Sequence, residues 1–302
     1  MVTGSENRLM TTKRKKTVIL LAFVFPALLF YAVFVLAPAF GGAWYSLTNW
    51  NGLNRTYRMV GLANYIEALT ADPFFLKSVG FTLKYVVFMV VLQNVIALLL
   101  AVLVESRRRS KVWFRTIFFM PNMISLIIGG FMWLFIFTKV LPYIAEHSVF
   151  AFLDKSWIGD PAYSFFAIVI VSLWGGVGYL MVIYIASLQG VPQHLKEAAA
   201  IDGANAFKTF RYVTLPMIYP ALTIGIFLTL NGSFKAFDAV YSLTGGGPGR
   251  STQVIALNIF EEAFKSSNRY GYANAKAMIL FLVVFLITLI QLWLMKRREV
   301  ES

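Results

Sequence analysis

The sequence has 302 residues, of which 59% are hydrophobic, 16% are aromatic and only 14% are charged. This composition excludes an ordinary soluble domain, in which about a quarter of the residues are charged. The absence of cysteine excludes disulfides, Cys-ligated zinc and thiol catalysis. The net charge of +13 does not indicate nucleic-acid binding, because Lys and Arg cluster where apolar runs end instead of forming a basic and aromatic face. We therefore interpret the chain as an integral membrane protein.

Six uncharged runs are long enough to cross the hydrocarbon core, which takes about 20 apolar residues. The first follows basic residues at 13–16, but it is too long for a signal peptide and no small-residue cleavage site follows it, so we expect it to stay as a helix. The fold class predicted is all-α, with an N-terminal tail (1–17), a six-helix transmembrane domain (18–295) and a C-terminal tail (296–302). The predicted spans are 18–40, 85–104, 117–137, 163–188, 213–234 and 277–295.

Basic residues predict the orientation of these spans. They concentrate at 13–16, in "RRR" at 107–109 and in "KRR" at 296–298, and cytoplasmic loops are the ones that carry such excess. Both termini and the hairpin at 189–212 are therefore predicted to be cytoplasmic, with the loops 41–84, 138–162 and 235–276 outside. Pro26, Pro121 and Pro220 lie in or near spans, where neighbouring helices can satisfy the freed carbonyl groups.

The hairpin between the fourth and fifth spans is charged and rich in alanine. "QHLKEAAAID" (193–202) contains strong helix formers, Gly203 is placed to end that helix in a left-handed conformation, and "ANAFKTFRYV" (204–213) can form a second short helix. The alanines at 198–200 leave a helix face almost without bulk, which suits a groove in another protein. The alternative is an amphipathic connector that lies on the membrane surface.

The segment "EAAAIDGANAFKTFRYVTLPMIYP" (197–220) resembles the EAA loop of ABC importer permeases, and the blocks at 118–135 and 237–264 resemble other parts of the carbohydrate branch of that family. The resemblance implies that the loop 189–216 holds the coupling helix that docks into a cytoplasmic ATPase. The coupling residues that it implies are Glu197, Ala198, Ala199, Asp202, Gly203, Ala204, Leu215 and Pro216.

The same resemblance implies a multi-pass subunit in a bacterial or archaeal cytoplasmic (inner) membrane, working in an ATP-driven, binding-protein-dependent sugar importer. Its expected partners are a second permease in a heterodimer, two ATPase subunits, an extracytoplasmic solute-binding protein, the sugar and membrane lipid. The sequence contains no GxxxxGK[ST] phosphate loop. No cofactor is therefore expected in this chain, which is not itself an enzyme; ATP and Mg are expected in the partner ATPase.

Polar and small residues inside the fourth and fifth spans are candidates for a solute path, since polar groups in spans are costly. "SLWGGVGYL" (172–180) offers aromatic faces for a pyranose ring and glycines that allow close approach. "TLNGSFKAFD" (229–238) offers hydrogen-bonding groups. Helix packing explains both stretches equally well. The resemblance places sugar contacts on these stretches, although Ala236 departs from the polar residue expected there. The predicted substrate path comprises Ser172, Trp174, Gly175, Gly176, Tyr179, Thr229, Asn231, Gly232 and Ser233.

Lys235 and Asp238 lie at the outer end of the fifth span, three residues apart, and we interpret them as markers of the membrane boundary rather than solute ligands. Two other classes of protein are disfavoured. A secondary transporter usually carries acidic residues or histidine within its spans, and the six runs have none. A membrane enzyme is disfavoured because the sequence contains no HExxH motif. The two histidines, His147 and His194, are predicted to lie on opposite sides of the membrane. A non-carbohydrate solute, such as a glycerol phosphodiester or a polyol, remains the alternative substrate.

Overall fold

A computed structural model describes residues 19–106, 110–266 and 268–296, and this part of the chain is an all-α bundle, as predicted. The predicted tail 1–17 and residues 297–302 lie outside the described residues, as does the basic cluster 107–109. Five helices are each long and apolar enough to cross a membrane: α1 (Ile19–Tyr45), α3 (Pro73–Glu105), α5 (Leu126–Glu146), α6 (Pro161–Gly190) and α12 (Tyr270–Lys296), with α2 (Ala63–Thr70) preceding α3.

The fifth span is a bent pair of helices rather than the single helix predicted at 213–234. Helices α8 (Ala206–Met217) and α9 (Tyr219–Phe234) meet at an angle of 70° and pass the length and hydropathy test only together. Pro216 and Pro220 flank the joint, and neither has an N–H group to continue the helical hydrogen bonds. The remaining short helices are α4 (Lys111–Phe119), α7 (Gln193–Ile201), α10 (Asp238–Leu243) and α11 (Ile255–Glu261), the last continuing as a π-helical turn, Glu262–Ser266.

The third predicted span, 117–137, is wrong in its position. Helix α4 ends at Phe119, a 3₁₀ turn covers Met120–Met123, and the backbone is extended at Ile124 before α5 begins at Leu126. Pro121 lies inside this turn, so the apolar run that looks continuous in sequence contains a helix break. The crossing helix consequently extends about nine residues further along the chain than hydropathy indicates.

Side-chain caps set the starts of the two longest central helices. The Asp72 carboxylate accepts hydrogen bonds from the amides of Phe74 and Phe75 at 3.0 and 2.9 Å, and proline follows it at the first helical position. Asp160 caps α6 in the same way, before Pro161. Helix α3 therefore has 33 residues, about 50 Å at 1.5 Å per residue, and extends well beyond the hydrocarbon core.

Helices α3, α6 and α9 form the centre of the bundle. Ala97 and Ala101 on α3 are fully buried and let α6 approach closely, where Leu180 and Tyr184 pack against them. Helix α1, in contrast, has no buried residue in its most apolar window. The central three helices also define where polar groups are enclosed, and the candidate site lies among them.

Candidate translocation site and coupling surface

A cavity of about 520 Å³ lies between α3, α6 and α9, at the middle of α6. Its remaining walls are the break between α4 and α5 and the turn that follows α9. The lining residues from the central helices include Tyr85, Gln93, Ser172, Tyr179, Thr229 and Ser233. The cavity is large enough for a small organic solute, and its walls combine aromatic, amide and hydroxyl groups.

Seven of the nine predicted path residues line this cavity together with Ala236: Ser172, Gly175, Gly176, Tyr179, Thr229, Gly232 and Ser233. Gly232 faces open space, because a Cβ atom added there would meet no atom within 4 Å. The structure thus brings the two stretches of sequence to one place, as the substrate-path hypothesis requires.

Trp174 and Asn231 do not reach the cavity. The Trp174 ring packs edge-on against Trp133, with centroids 5.9 Å apart, and it lies against Gly129 of α5. The Asn231 amide donates to the Phe227 carbonyl oxygen at 3.0 Å and points toward Thr288 of α12. Both residues are therefore helix-packing residues in this structure, which was the alternative reading of their stretches.

Two amide side chains that the sequence interpretation missed form the floor of the cavity. Gln93 Nε2 donates to the Gly176 carbonyl oxygen at 2.9 Å, and Asn122 Nδ2 donates to the Gly175 carbonyl oxygen at 3.1 Å. These bonds hold α3 and the α4–α5 break against the glycine stretch of α6. The polarity of Gln93 within the run 85–104 was a usable signal, whereas Asn122 becomes visible only once the helix break is known.

The hydroxyl groups that line the cavity also form hydrogen bonds with other groups of the protein. The Tyr85 hydroxyl donates to Ser172 Oγ at 2.8 Å, and the Tyr179 hydroxyl interacts with Gln93 and Thr229. Behind Thr229, the Asn94 amide donates to Thr229 Oγ1 at 3.2 Å and accepts a short hydrogen bond from Tyr184. A continuous hydrogen-bonded chain therefore links α3, α6 and α9 directly beneath the cavity.

Lys235 and Asp238 line the outer part of the cavity, and they carry the charges among its described lining residues. Lys235 is the residue that follows α9 and Asp238 is the first residue of α10, so the two residues do not share a helix. Their place on the cavity wall makes them candidates for solute contact as well as markers of the membrane boundary.

The hairpin after α6 forms two helices with a defined turn. Helix α7 ends in a Schellman motif, in which the Ala204 amide donates to the Ala199 carbonyl oxygen at 2.9 Å and the Gly203 amide donates to that of Ala200 at 3.1 Å. Gly203 has φ +78°, which confirms the predicted left-handed conformation. Asn205 then caps α8 by accepting from the Lys208 amide at 2.9 Å.

The exposed surface of the hairpin is apolar as well as charged. Glu197, Ala198, Asp202 and Gly203 are exposed, and Ala199 and Ala204 are half-buried. Beside them, Ile201 is 87% exposed and Phe207 is 74% exposed, and the sequence interpretation missed both as surface residues. Exposed apolar side chains next to a bare alanine face are typical of a protein-binding surface.

Leu215 and Pro216 lie away from that surface. Both are half-buried in the last turn of α8, and Leu215 packs against the core formed by α3 and α6. The structure therefore places them at the joint between the hairpin and α9, not among the exposed residues with which they were grouped.

The described bundle encloses a polar cavity and carries a helical hairpin between its fourth and fifth spans, features that suit a transport subunit. Residues 93–300 match the family described as the inner membrane component of binding-protein-dependent transport systems, and the chain belongs to this family. It is accordingly a multi-pass permease subunit, dependent on a solute-binding protein.

Similar proteins of known or assigned role cover nearly the whole chain. The chain is 42% identical to a probable starch degradation products transport system permease of Thermoanaerobacterium thermosulfurigenes, over 92% of this chain and 94% of that protein. It is 36% identical to a multiple sugar-binding transport system permease of Streptococcus mutans, over 92% and 95% of the two chains.

The fold is shared with a solved transporter. A subunit of a bacterial alginate ABC transporter, in complex with an alginate pentasaccharide-bound periplasmic protein, matches with a TM-score of 0.80. The match covers 95% of this chain and 96% of that one at 18% identity. This likeness supports the architecture of the bundle and its hairpin.

Proposed function

We propose that the chain is the permease subunit of an ATP-driven sugar importer and that its solute passes through the cavity between α3, α6 and α9. The observation that carries the proposal is the position of the cavity. Its floor, formed by Gln93, Asn122 and Tyr179, is connected through Thr229 to α9, the helix that continues from the hairpin.

A neutral sugar suits this cavity chemically. Amide and hydroxyl groups can exchange hydrogen bonds with sugar hydroxyls, and the Tyr179 ring offers an apolar face to the C–H groups of a pyranose. Gly232 leaves the α9 wall open, whereas Gly175 and Gly176 let Leu126 and Gln93 approach α6 closely. The relatives that transport starch products and multiple sugars support the same class of solute.

The hairpin is proposed to couple transport to ATP hydrolysis in a partner. Its exposed face, formed by the alanines of α7 with Ile201 and Phe207, would fill a groove on a cytoplasmic ATPase, with Glu197 and Asp202 available to basic residues there. ATP and Mg are proposed to bind to two such ATPase subunits. A second permease completes the path, and the binding protein delivers solute from outside.

The orientation follows from the same proposal. The ends of α3, α4 and α6 meet beside the hairpin, where Glu105 binds Lys111 at 3.0 Å, Arg115 at 2.8 Å and Gln189 at 3.1 Å. This end lies next to the basic residues at 107–109 in sequence, so we place it, with both termini, in the cytoplasm.

Uptake measurements test the substrate and the path together. Cells that express the complete transport system would be given a labelled maltooligosaccharide and, in parallel, a labelled glycerol phosphodiester. We expect uptake of the sugar. Tyr179→Ala should weaken it by removing a stacking face and a hydrogen bond, worth about 1–3 kcal/mol in all, and Gly232→Leu should obstruct the open wall.

Gly80→Ala is the matched control, because Gly80 also lies in a spanning helix with no atom within 4 Å of an added Cβ, but it lies away from the cavity. Uptake of the phosphodiester alone would replace the sugar with the alternative solute. Unchanged sugar uptake in both cavity variants would show that this chain does not line the path.

A further inference from the structure

Lys276 is a lysine buried inside the bundle. It lies in the second turn of α12, and its side chain is 0% exposed. Its Nζ atom is 2.8 Å from Asp72 Oδ2, 2.9 Å from Glu262 Oε2 and 3.0 Å from Asn258 Oδ1. The apolar run that predicted the last span begins at residue 277, so the sequence interpretation left this residue out.

These three contacts join three parts of the bundle. Asp72 caps α3, Asn258 lies on α11 and Glu262 begins the π-helical turn that continues α11. The three ammonium protons thus have three oxygen acceptors, and the ammonium also lies 4.4 Å from the centre of the Tyr272 ring. A buried charge with this set of partners is satisfied, whereas removing one partner leaves an unpaired charge.

The surrounding groups reinforce the same junction. The Tyr272 hydroxyl donates to Asp72 Oδ2 at 3.0 Å, and Arg269 binds Glu67 of α2 at 2.7 Å. Burial raises the pKa of the Asp72 carboxyl, but hydrogen bonds from Lys276 and the Phe75 amide, with the Lys276 charge, outweigh it and leave the pKa below its ordinary value. Asp72 is therefore held in its charged form.

Helix α11 is part of the outer segment 235–266, whose beginning forms the outer wall of the cavity. Residues 235–239 line the cavity, and α10 packs so closely on α5 that a Cβ at Gly130 would overlap Ser242. Further along the segment, at the start of α11, the Ile255 amide donates to Thr82 Oγ1 of α3 at 3.0 Å. Lys276 holds α11 where this segment returns to α3 and α12.

We propose that Lys276 is a positioning residue for transport: its ammonium group fixes the outer segment 235–266 against α3 and α12 and thereby sets the outer wall of the solute cavity. The inference rests on the proposed function, because the wall matters only if solute passes through the cavity. Lys276 would thus affect the affinity of the cavity for its solute, although its side chain lies outside the cavity.

Two variants distinguish the contribution of Lys276 to stability from its contribution to the position of the outer segment. Lys276→Met alone removes the ammonium group that the Asp72 and Glu262 carboxylates share, 15% and 18% exposed, so we expect a reduced protein level. In the triple variant Asp72→Asn, Glu262→Gln, Lys276→Met none of the three side chains is charged. Arg269 loses a 3.9 Å contact with Glu262 but keeps its ion pair with Glu67, so the protein level should recover. Sugar uptake by the triple variant should still show a KM raised by about 2- to 30-fold, with the maximal rate and ATPase recovery in a pull-down unchanged.

A cysteine pair supplies a readout that does not depend on transport. The chain has no native cysteine, so Thr82→Cys with Ile255→Cys reports the contact of α11 with α3 by disulfide yield. We expect a lower yield in the triple background than in the otherwise native one, and a lower KM once the disulfide has formed. Lys265→Met is the matched control, since Lys265 lies near α11 but is 54% exposed.

A native KM and native disulfide yield in the triple variant would overturn the proposal and leave Lys276 as a stabilising residue only. Failure of the proposed function has a different signature. In that case the native complex takes up no sugar, while the disulfide yield still responds to the triple substitution.

Discussion

Gly203 provides the most specific perturbation of the coupling hairpin. Its φ of +78° is strained for any residue with a Cβ atom, yet a Cβ added there meets nothing within 4 Å. Gly203→Val therefore perturbs only the backbone, at about 1–2 kcal/mol. That energy corresponds to a factor of roughly 5–30 in the population of the turn. The two Schellman bonds to Ala199 and Ala200 would weaken, and α8 would leave the turn in a different direction.

The assay compares protein level in membranes, ATPase recovery in a pull-down and sugar uptake. We expect normal insertion, because Gly203 and the residues beside it at 200–202 are exposed. Uptake should fall by up to about the same factor of 5–30. Gly190→Ala is the control: it lies at the end of α6, with no positive φ and no atom within 4 Å of an added Cβ. Native uptake by Gly203→Val would refute the reasoning and favour a hairpin that is only a connector.

Three further predictions concern the hairpin surface, the core and the orientation. Phe207→Ala should lower ATPase recovery without changing the protein level, because its ring is exposed; unchanged recovery would remove it from the docking surface. Gly178→Ala should destabilise the bundle by about 1–3 kcal/mol, because the new Cβ would overlap the carbonyl oxygen of Phe118. Gly80→Ala should not destabilise it, and equal thermal stability of the two variants in detergent would contradict this packing. A cysteine at Ser148, an exposed residue of the predicted external loop 138–162, should react with a membrane-impermeant thiol reagent in intact cells, and one at Ser110 should not. Labelling at Ser110 from outside would reverse the orientation.

Hydropathy predicted the order of the spans, and their number if the bent pair α8–α9 counts as one span, but not their shapes. The run 163–188 differs from α6 by only two residues at each end. Helix α6 is apolar over most of its length, and Asp160 caps its start directly before Pro161. The run 117–137 failed because hydropathy does not register the loss of helical hydrogen bonds at Pro121. The 70° bend before α9 is invisible for the same reason.

The candidate site was predictable to the extent that its residues are polar or small inside an apolar run. That criterion found Tyr179, Gly232 and Ser233, but it also selected Trp174 and Asn231, whose directions around the helix depend on tertiary packing. Sequence composition does not distinguish a glycine that opens a cavity from one that admits a neighbouring helix.

The position of the buried ammonium could not be predicted either. Lys276 appears in sequence as a boundary residue, and its burial depends on Asp72, about 200 residues away, and on the outer segment that folds back over α12. Such a contact follows from the topology of the bundle rather than from any local pattern.

We expect this permease to move solute only when a partner hydrolyses ATP. The most direct measurement reconstitutes the co-purified complex in proteoliposomes, with ATP and Mg inside and solute-binding protein loaded with labelled maltooligosaccharide outside. We predict that the sugar accumulates only when both ATP and the binding protein are present. Accumulation driven by an ion gradient in the absence of ATP would contradict the account.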